Sequence, residues 1–246
     1  MRYADLHIHS IFSDGTYASE EIVTRARARG AALISVCDHN AVAGTLTAEA
    51  LARAAGLGYI RGVEIDALHR GVDVHILCYG ADLSSEALLA RIRHARARLD
   101  EMSAELLRRM RRDYPCLSPD KYEAFPHDSA LGGWKMLQYM KAKGVTPDLR
   151  AGFAFYERYG VRYADAGFDS AEQIIACIHA AGGRAVLAHA GVTFTWDTLD
   201  ALARAAEDAL DAGFDGADCY YPRHDAGVTR RLLDICARRA LLVTAG

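Results

Sequence analysis

The chain has 246 residues, of which 51% are hydrophobic, so it is long enough to bury one sizeable core. Its formal net charge is −3 with both signs interspersed, which argues against a coat for long nucleic acid and against a polybasic membrane anchor. No apolar run approaches the roughly 18 residues of a membrane span, and no signal peptide is visible at the N-terminus. The six cysteines are scattered without a CxxC pair, which predicts reduced thiols and a cytoplasmic protein.

Short apolar runs alternate with helical patterns in the first part of the chain. The turn at 68–71 joins two of these runs, so we expect that pair of strands to be antiparallel. The predicted strands are 3–8, 33–37, 59–64 and 72–79, and the predicted helices are 19–29, 45–55 and 84–112.

The pattern changes between 113 and 163, where four of the five prolines fall. This segment is longer than an ordinary connection, so we interpret it as an inserted cap with helical pieces near 133–144 and 151–160. The strand–helix rhythm then resumes, which predicts one discontinuous α/β domain, 1–112 and 164–246, most simply a barrel and otherwise a doubly wound sheet. The later helices are predicted at 170–181, 198–212 and 226–239, and the later strands at 184–189, 216–221 and 240–245.

Side chains of the types that bind metal lie at or near the ends of most predicted strands. Functional groups gather at the carboxyl ends of strands in parallel α/β folds, so we expect these side chains to share one site. Imidazole and carboxylate together suit Zn, Mn or Fe, whereas an all-oxygen set would suit Mg or Ca. The residues are His7, His9, Asp14, Asp38, His39, Glu64, His75, His189 and His224.

The order of these motifs resembles the PHP (polymerase and histidinol phosphatase) family. The resemblance is carried by residues 5–10 (DLHIHS), 13–15 (SDG), 38–39 (DH), 62–64 (GVE) and 188–190 (AHA), together with His75. It implies a distorted TIM-like (β/α)7 barrel with a trinuclear centre. It also implies hydrolysis of a phosphate ester by a hydroxide that bridges two of the ions.

The resemblance further implies which residues hold the three divalent ions. Asp38 is expected to orient a ligand imidazole from outside the ligand set. The first ion is assigned to His7, His9 and Glu64, the second to Glu64, His75 and His189, and the third to Asp14 and His39.

Three basic residues are candidates for contact with a phosphorylated substrate. Arg223 is suited to bidentate phosphate contact, and His224 is expected either to contact the phosphate or to protonate the leaving oxygen. Lys135 in the insertion is a candidate for a second phosphate. The favoured substrate is a 5-phosphoribosyl 1,2-cyclic phosphate, because the insertion resembles the one found in that subfamily. A 3′,5′-bisphosphonucleotide or the 5′-end of a short RNA is the alternative.

One element of the family pattern is not found in the 246 residues. Members carry a Ser-Asp-x-His-like motif after the last barrel strand, which supplies one ligand each to the first and third ions, whereas strand 240–245 is followed by Gly246. We therefore expect a C-terminally truncated chain whose first and third metal positions are weakened, with loss of two ligands in a natural variant as the alternative.

Two other classes of function are weighed against a phosphoesterase. A domain that senses a phosphorylated metabolite without turnover is favoured by the missing motif and disfavoured by the ligands at six strand ends. A nuclease or proofreading domain for long strands is disfavoured by the net charge of −3, because such binding needs several phosphate contacts. The oligomeric state, and whether the cap moves, do not follow from the sequence.

Overall fold

The computed structural model describes residues 3–246 and begins with a three-stranded parallel sheet. Its order is β1–β2–β3, and the predicted strand–helix rhythm is confirmed in this part of the chain. Two helices follow the first two strands and cover the sheet. The strands are β1 (Tyr3–Ile8), β2 (Ala31–Val36) and β3 (Gly58–Tyr59), and the helices are α1 (Ser19–Ala28) and α2 (Ala43–Ala54).

A second sheet of five strands has the order β4–β5–β6–β7–β8. Its strands β4 and β5 form the predicted antiparallel hairpin, β5 and β6 are also antiparallel, and the last two pairs are parallel. The strands are β4 (Gly62–His69), β5 (Val72–Tyr79), β6 (Arg184–Leu187), β7 (Gly216–Tyr220) and β8 (Leu242–Ala245).

The predicted strand 59–64 is divided in the structure between β3 and β4. As a result Glu64 lies near the beginning of β4, not at the end of a strand. The division occurs where the chain crosses closely over the end of β2, because a Cβ at Gly62 would overlap Ser35 Oγ and Cys37 Sγ. This crossing brings Glu64 next to the residues that follow β2. There Glu64 and His39 pair through an isolated parallel β-bridge.

The insertion consists of short helices packed on one long helix of the α/β core. Fully buried side chains of the insertion, Met136, Leu137 and Tyr139, belong to the same hydrophobic cluster as Leu106 and Met110. The insertion therefore shares its core with the rest of the chain. The long helix is α3 (Glu86–Met110). The helices that follow it are α4 (Pro119–Glu123), α5 (Lys135–Ala142) and α6 (Phe153–Arg158), with 3₁₀ turns at Ser129–Leu131, Arg150–Gly152 and Tyr163–Asp165.

The C-terminal helices begin at sequence signals that fix their first turns. Ser170 and Gln173 form a capping box, in which each side chain accepts a hydrogen bond from the other's backbone N–H. The Asp225 carboxylate accepts a hydrogen bond from the Val228 N–H at 2.8 Å. The helices are α7 (Ala171–Ala180), α8 (Ala190–Thr193), α9 (Leu199–Leu210) and α10 (Ala226–Arg239).

The second sheet meets the first through both of its edge strands, β4 and β8. The Glu64–His39 bridge joins the end of β2 to β4, and β1 packs against β8. Both junctions lie where the carboxyl ends of β1 and β2 open, so that the functional side chains of the two sheets converge there. Within residues 3–246, no helix has the length and hydrophobicity needed to cross a membrane.

Candidate metal centre

Glu64 lies in the middle of the candidate centre, and one oxygen of its carboxylate faces three imidazoles. The residue is completely buried in β4. Its Oε2 atom lies 3.2 Å from His7 Nε2, 3.0 Å from His9 Nε2 and 3.2 Å from His39 Nε2. Alternation along β1 and the loop that follows brings His7 and His9 to the same face, as predicted from their spacing. The three imidazoles thus present the same nitrogen to one oxygen.

The other oxygen of Glu64 faces two imidazoles from the second sheet. Its Oε1 atom lies 3.1 Å from His75 Nδ1 and 3.0 Å from His189 Nε2. His75 lies in β5 and His189 follows β6, so two neighbouring antiparallel strands each contribute one of these imidazoles. One carboxylate therefore lies between two sets of imidazoles, an arrangement that suits a bridging ligand.

The nitrogens of His7 and His9 that point away from Glu64 each meet a carboxylate. His7 Nδ1 lies 3.2 Å from Asp218 in β7, and His9 Nδ1 lies 2.7 Å from Asp14. Asp14, expected as a ligand of the third ion, thus contacts an imidazole in this structure. Asp218 was not among the residues predicted from the sequence. The residues around it in its apolar strand do not indicate which group its carboxylate contacts.

A buried carboxylate, Asp66, lies behind the imidazoles of His39 and His75. It is 3.2 Å from His75 Nε2 and 3.6 Å from His39 Nδ1. Asp73 lies 3.3 Å from the same His75 nitrogen. The sequence offered one sign of Asp66, which is its spacing of two residues from Glu64 on the same face of β4.

One predicted ligand, His189, and the residue after another, Asn40, have backbone conformations that L-residues rarely adopt. His189 has φ +29° and Asn40 has φ +50°. Such conformations cost about 1–3 kcal/mol each and persist where the surrounding structure determines them. His189 Nδ1 lies 3.1 Å from the Thr193 hydroxyl, which fixes the ring with its other nitrogen toward Glu64.

The charges of the centre are strongly coupled. Burial disfavours the charged form of Glu64, but the His39, His7 and His75 imidazoles outweigh it and hold the pKa of the carboxyl well below its usual range. Burial lowers the pKa of His189 to about 4, and the hydrogen bond to Glu64 opposes this shift only in part. The site therefore combines a carboxylate that stays ionised with one imidazole, His189, that stays neutral, which is the state in which each binds a metal ion. In His7, His9 and His75 burial is outweighed by the neighbouring carboxylates, which raise the pKa of these imidazoles, so a metal ion would displace their protons.

The donor set fits divalent transition metals. Three groups of side chains have ligand atoms within 4.8 Å of one another, and together they contain every predicted ligand except Asp14. His39 Nδ1 is buried without a hydrogen-bond partner among residues 3–246. Five imidazoles around carboxylates suit Zn, Mn or Fe. The groups are His7–Glu64–His189, His9–His39–Glu64 and His39–Asp66–His75.

Asp38 differs from its expected role of orienting an imidazole. The Asp38 carboxylate accepts hydrogen bonds from the Ser10 N–H at 2.8 Å, from the Ser10 hydroxyl at 2.6 Å and from the Ser13 hydroxyl at 2.6 Å. It thereby fixes the loop after β1 that carries His9 and Asp14. The contacts of the kind expected of Asp38 are made instead by Asp66, Asp73 and Asp218, whereas both Asp38 oxygens accept from the loop after β1.

His224 also differs from expectation, because both of its ring nitrogens are engaged away from the centre. Its Nδ1–H donates to the Cys219 carbonyl at 3.1 Å, and its Nε2 accepts from the Gly191 N–H at 3.2 Å. The ring therefore holds the loop after β7 in place and has no free proton for a leaving oxygen. Arg223 is exposed on this loop, and Tyr221 reaches the centre with its ring centroid 5.2 Å from that of His189.

Lys135 lies in the insertion at the rim of a cavity next to the centre. Its Nζ donates to the Glu123 carbonyl at 3.0 Å and lies 5.0 Å from the centroid of the Tyr122 ring. The cavity has a volume of about 290 Å³ between α3 and the insertion. Trp134 lines it and also lies beside the centre, with its ring centroid 5.6 Å from that of His39. Trp134 thus connects the insertion to the predicted ligands.

A family comparison gives a match over most of the chain. The PHP domain model matches residues 5–209, and the chain belongs to this family. With the family and the donor set in agreement, the protein is a metal-dependent phosphoesterase, a hydrolase that acts on phosphoester bonds.

Curated relatives with different substrates are similar to this chain. A 3′,5′-nucleoside bisphosphate phosphatase of Chromobacterium violaceum is 29% identical over 100% of this chain and 86% of its own length. A phosphoribosyl 1,2-cyclic phosphate 1,2-diphosphodiesterase of Eggerthella lenta is 26% identical over 98% of this chain and 92% of its own. A 5′-3′ exoribonuclease of Haemophilus influenzae is 29% identical over 75% of this chain and 68% of its own.

Solved structures share the fold over the whole chain. An amidohydrolase from Chromobacterium violaceum aligns with a TM-score of 0.80 and 25% identity, over 99% of this chain and 86% of that one. A protein from Bifidobacterium adolescentis, described as a candidate metal-dependent phosphoesterase, aligns with a TM-score of 0.78 and 26% identity, over 100% of this chain and 86% of that one.

Proposed function

We propose that the Glu64-centred site hydrolyses a phosphate ester of a small substrate that carries a second phosphate, with 3′,5′-bisphosphonucleotides as the substrate class. The observation that carries the hydrolytic part is the convergence of five imidazoles on one buried carboxylate. When bound, divalent ions lower the pKa of water to near neutrality and neutralise the charge of the transferred phosphoryl group.

The ligand sets proposed for three ions follow the two oxygens of Glu64. Oε2 faces His7 and His9, which supports the first set, and Oε1 faces His75 and His189, which supports the second. The third set combines Asp14 with His39. These two residues lie on either side of His9, since Asp14 contacts its Nδ1 and the ring of His39 lies 4.8 Å from its ring.

The arrangement of the sheets supports the finer description of the fold. We propose a distorted (β/α)7 barrel, which the bridge between His39 and Glu64 and the packing of β1 on β8 would close. We also propose that 113–163 is a cap over the barrel 1–112 and 164–246, because Trp134 of this segment lies against His39 of the centre.

The lining of the cavity beside the centre favours a nucleotide over a sugar phosphate. Its aromatic walls include Tyr122, Trp134 and Tyr156, and its cationic groups include Arg96 and Lys135. Aromatic side chains stack on nucleobases with about 1–3 kcal/mol per base, whereas a ribosyl cyclic phosphate has no planar ring to stack. The cationic groups suit the second phosphate.

Arg223 and the cyclic-phosphate alternative complete the proposal. Arg223 is exposed beside Tyr221 on the loop after β7, where its guanidinium can make a bidentate contact with a phosphate that approaches the centre.

The 5-phosphoribosyl 1,2-cyclic phosphate favoured by the sequence remains the second candidate substrate. It is supported by the relative of that activity, which aligns with 98% of this chain.

A substrate panel tests this proposal. Phosphate release is measured with added Mn²⁺ and after chelation for a 3′,5′-bisphosphonucleotide, the ribosyl cyclic phosphate, a short 5′-phosphorylated RNA and p-nitrophenyl phosphate. We expect the bisphosphonucleotide to have the highest kcat/KM and Trp134→Ala to raise its KM by about 5- to 150-fold, the equivalent of 1–3 kcal/mol.

The same variant contains its own control. The ribosyl cyclic phosphate has no planar ring to stack on Trp134, so Trp134→Ala should leave its KM unchanged. Faster hydrolysis of the cyclic phosphate, or equal effects of Trp134→Ala on both substrates, would contradict the nucleotide assignment. Absence of metal-dependent release from all four esters would contradict the hydrolytic function.

A further inference from the structure

Asp66 is a buried acidic residue that the proposed ligand sets do not use. It is 2% exposed and lies two residues after Glu64 in β4, so both carboxylates point from the same face of the strand. Asn40 fixes its position, because the Asn40 Oδ1 atom accepts from the Asp66 N–H at 3.2 Å and the Asn40 Nδ2 donates to Asp66 Oδ2. The carboxylate is thus held rigidly beside the centre without facing solvent.

Each oxygen of Asp66 faces a different imidazole. Oδ1 lies 3.2 Å from His75 Nε2, and Oδ2 lies 3.6 Å from His39 Nδ1. These are the nitrogens that point away from Glu64, since His75 Nδ1 and His39 Nε2 are the ones that face its carboxylate. Asp66 and Glu64 therefore stand on opposite sides of the same two rings.

The chemistry of a neutral imidazole decides what this arrangement does. One nitrogen carries a proton and the other a lone pair, and only the lone pair binds a metal ion. If both lone pairs are to face Glu64, both protons must face Asp66. A metal ion on the Asp66 side would need the opposite tautomers, or two rings that each bind an ion through both nitrogens.

We propose that Asp66 is a positioning residue that accepts the Nε2–H of His75 and, once ions are held at Glu64, also takes up the Nδ1–H of His39, which lies 3.6 Å away and without a hydrogen-bond partner among residues 3–246, and so presents both rings to the ions. The proposal rests on the proposed metal centre. Asp73 supports only one of the two rings, at 3.3 Å from His75 Nε2, so it cannot replace Asp66 behind His39. Partners of this kind change metal affinity by about 10- to 100-fold.

Metal titration of Asp66→Asn tests the role. The amide has nearly the same volume, but its NH₂ group faces one imidazole N–H with a donor, so it cannot serve both rings. We expect Zn²⁺, titrated into metal-free protein against a chromophoric chelator, to bind about 10- to 100-fold more weakly, with the number of ions at saturation unchanged. Asp208→Asn is the matched control, because Asp208 also contacts an imidazole, His69 Nε2 at 3.0 Å, but outside the centre. It should bind Zn²⁺ like the wild type.

The outcomes separate positioning from ligation. A saturating number of ions lower by one in Asp66→Asn would make Asp66 a ligand and overturn the proposal. Unchanged affinity and number would overturn it as well. If wild-type protein binds no Zn²⁺, the proposed metal centre fails together with the role of Asp66, whereas lack of phosphate release with normal Zn²⁺ binding affects only the proposed function.

A second measurement needs no variant and holds even if Asp66→Asn does not fold. Long-range ¹H–¹⁵N spectra of zinc-loaded wild-type protein report which nitrogen of each imidazole carries the proton. We expect protonated Nδ1 in His39 and protonated Nε2 in His75. The opposite tautomer in either ring would place the lone pair toward Asp66 and overturn the proposal.

Discussion

Glu64 meets five imidazoles with two oxygens, so the loss of one imidazole leaves the other four in place. His9 is the most suitable one to remove, because its side chain is 18% exposed and contributes little to the core. We expect His9→Ala to lower metal-dependent phosphate release by more than about 100-fold, beyond the effect typical of residues outside the ligand set. The melting temperature of the metal-free protein should change little, and both quantities are measured on the same preparation.

His94→Ala is the control for this prediction. His94 lies in α3, where its Nε2 donates to the Gly167 carbonyl at 3.0 Å, away from the centre. Its removal should leave phosphate release unchanged. Wild-type turnover in His9→Ala would show that the ions are held without this imidazole.

At the scale of elements, Asp215 joins the start of β7 to strand β6 and helix α7. Its carboxylate precedes β7 and accepts from the Ala185 N–H of β6 at 2.8 Å, from His179 Nε2 of α7 at 2.7 Å and from the Arg184 guanidinium at 3.2 Å. Burial opposes ionisation, but the Ala185 N–H and His179 outweigh it and hold the pKa of Asp215 below its ordinary value of 3.8.

This lowered pKa predicts a pH dependence of stability. The unfolded chain takes up the Asp215 proton more readily than the folded chain, so the contribution of Asp215 is complete above the ordinary pKa of 3.8 and is lost as pH falls through the folded pKa. We expect Asp215→Asn to lower the free energy of unfolding at neutral pH by about 1–2 kcal/mol, with a smaller loss at acidic pH.

Urea unfolding of Asp215→Asn at neutral and acidic pH checks this expectation. The exposed Asp234 of α10 provides the control, because Asp234→Asn should change the free energy of unfolding little at either pH. A destabilisation by Asp215→Asn that grows toward low pH would mean that Asp215 is protonated more easily when folded, contrary to its contacts.

For the whole molecule, the parts that could be predicted are those with a local signal. The hairpin followed from a turn between two apolar runs, and the convergence of the candidate ligands followed from histidines and carboxylates that recur at or near strand ends. The roles of Asp66 and Asp218 could not be obtained in this way, because Asp66 also faces His39 from the other sheet and Asp218 contacts His7 from the other end of the chain. The division of strand 59–64 was missed for a related reason, since it depends on the close approach of Gly62 to β2.

The insertion shows the same limit on a larger scale. Its composition marked 113–163 as different, but an amphipathic pattern does not say which surface the apolar face covers. In the structure that face covers α3, and Met140 joins Leu106 and Met110 in the main hydrophobic cluster. A segment that shares its core with the rest of the chain should unfold together with it.

The two tryptophans allow this cooperativity to be measured. Trp134 lies in the insertion, and Trp196 lies outside it, where its Nε1–H donates to the Gly191 carbonyl at 3.0 Å. We expect the fluorescence of Trp196→Phe, which reports the insertion, to change at the same urea concentration as the far-ultraviolet circular dichroism of that variant. Trp134→Phe, which reports the rest of the chain, should likewise agree with its own circular dichroism. A Trp134 transition at clearly lower urea would mean that the insertion opens independently, and that access to the Glu64-centred site is set by a local equilibrium and not by the stability of the whole fold.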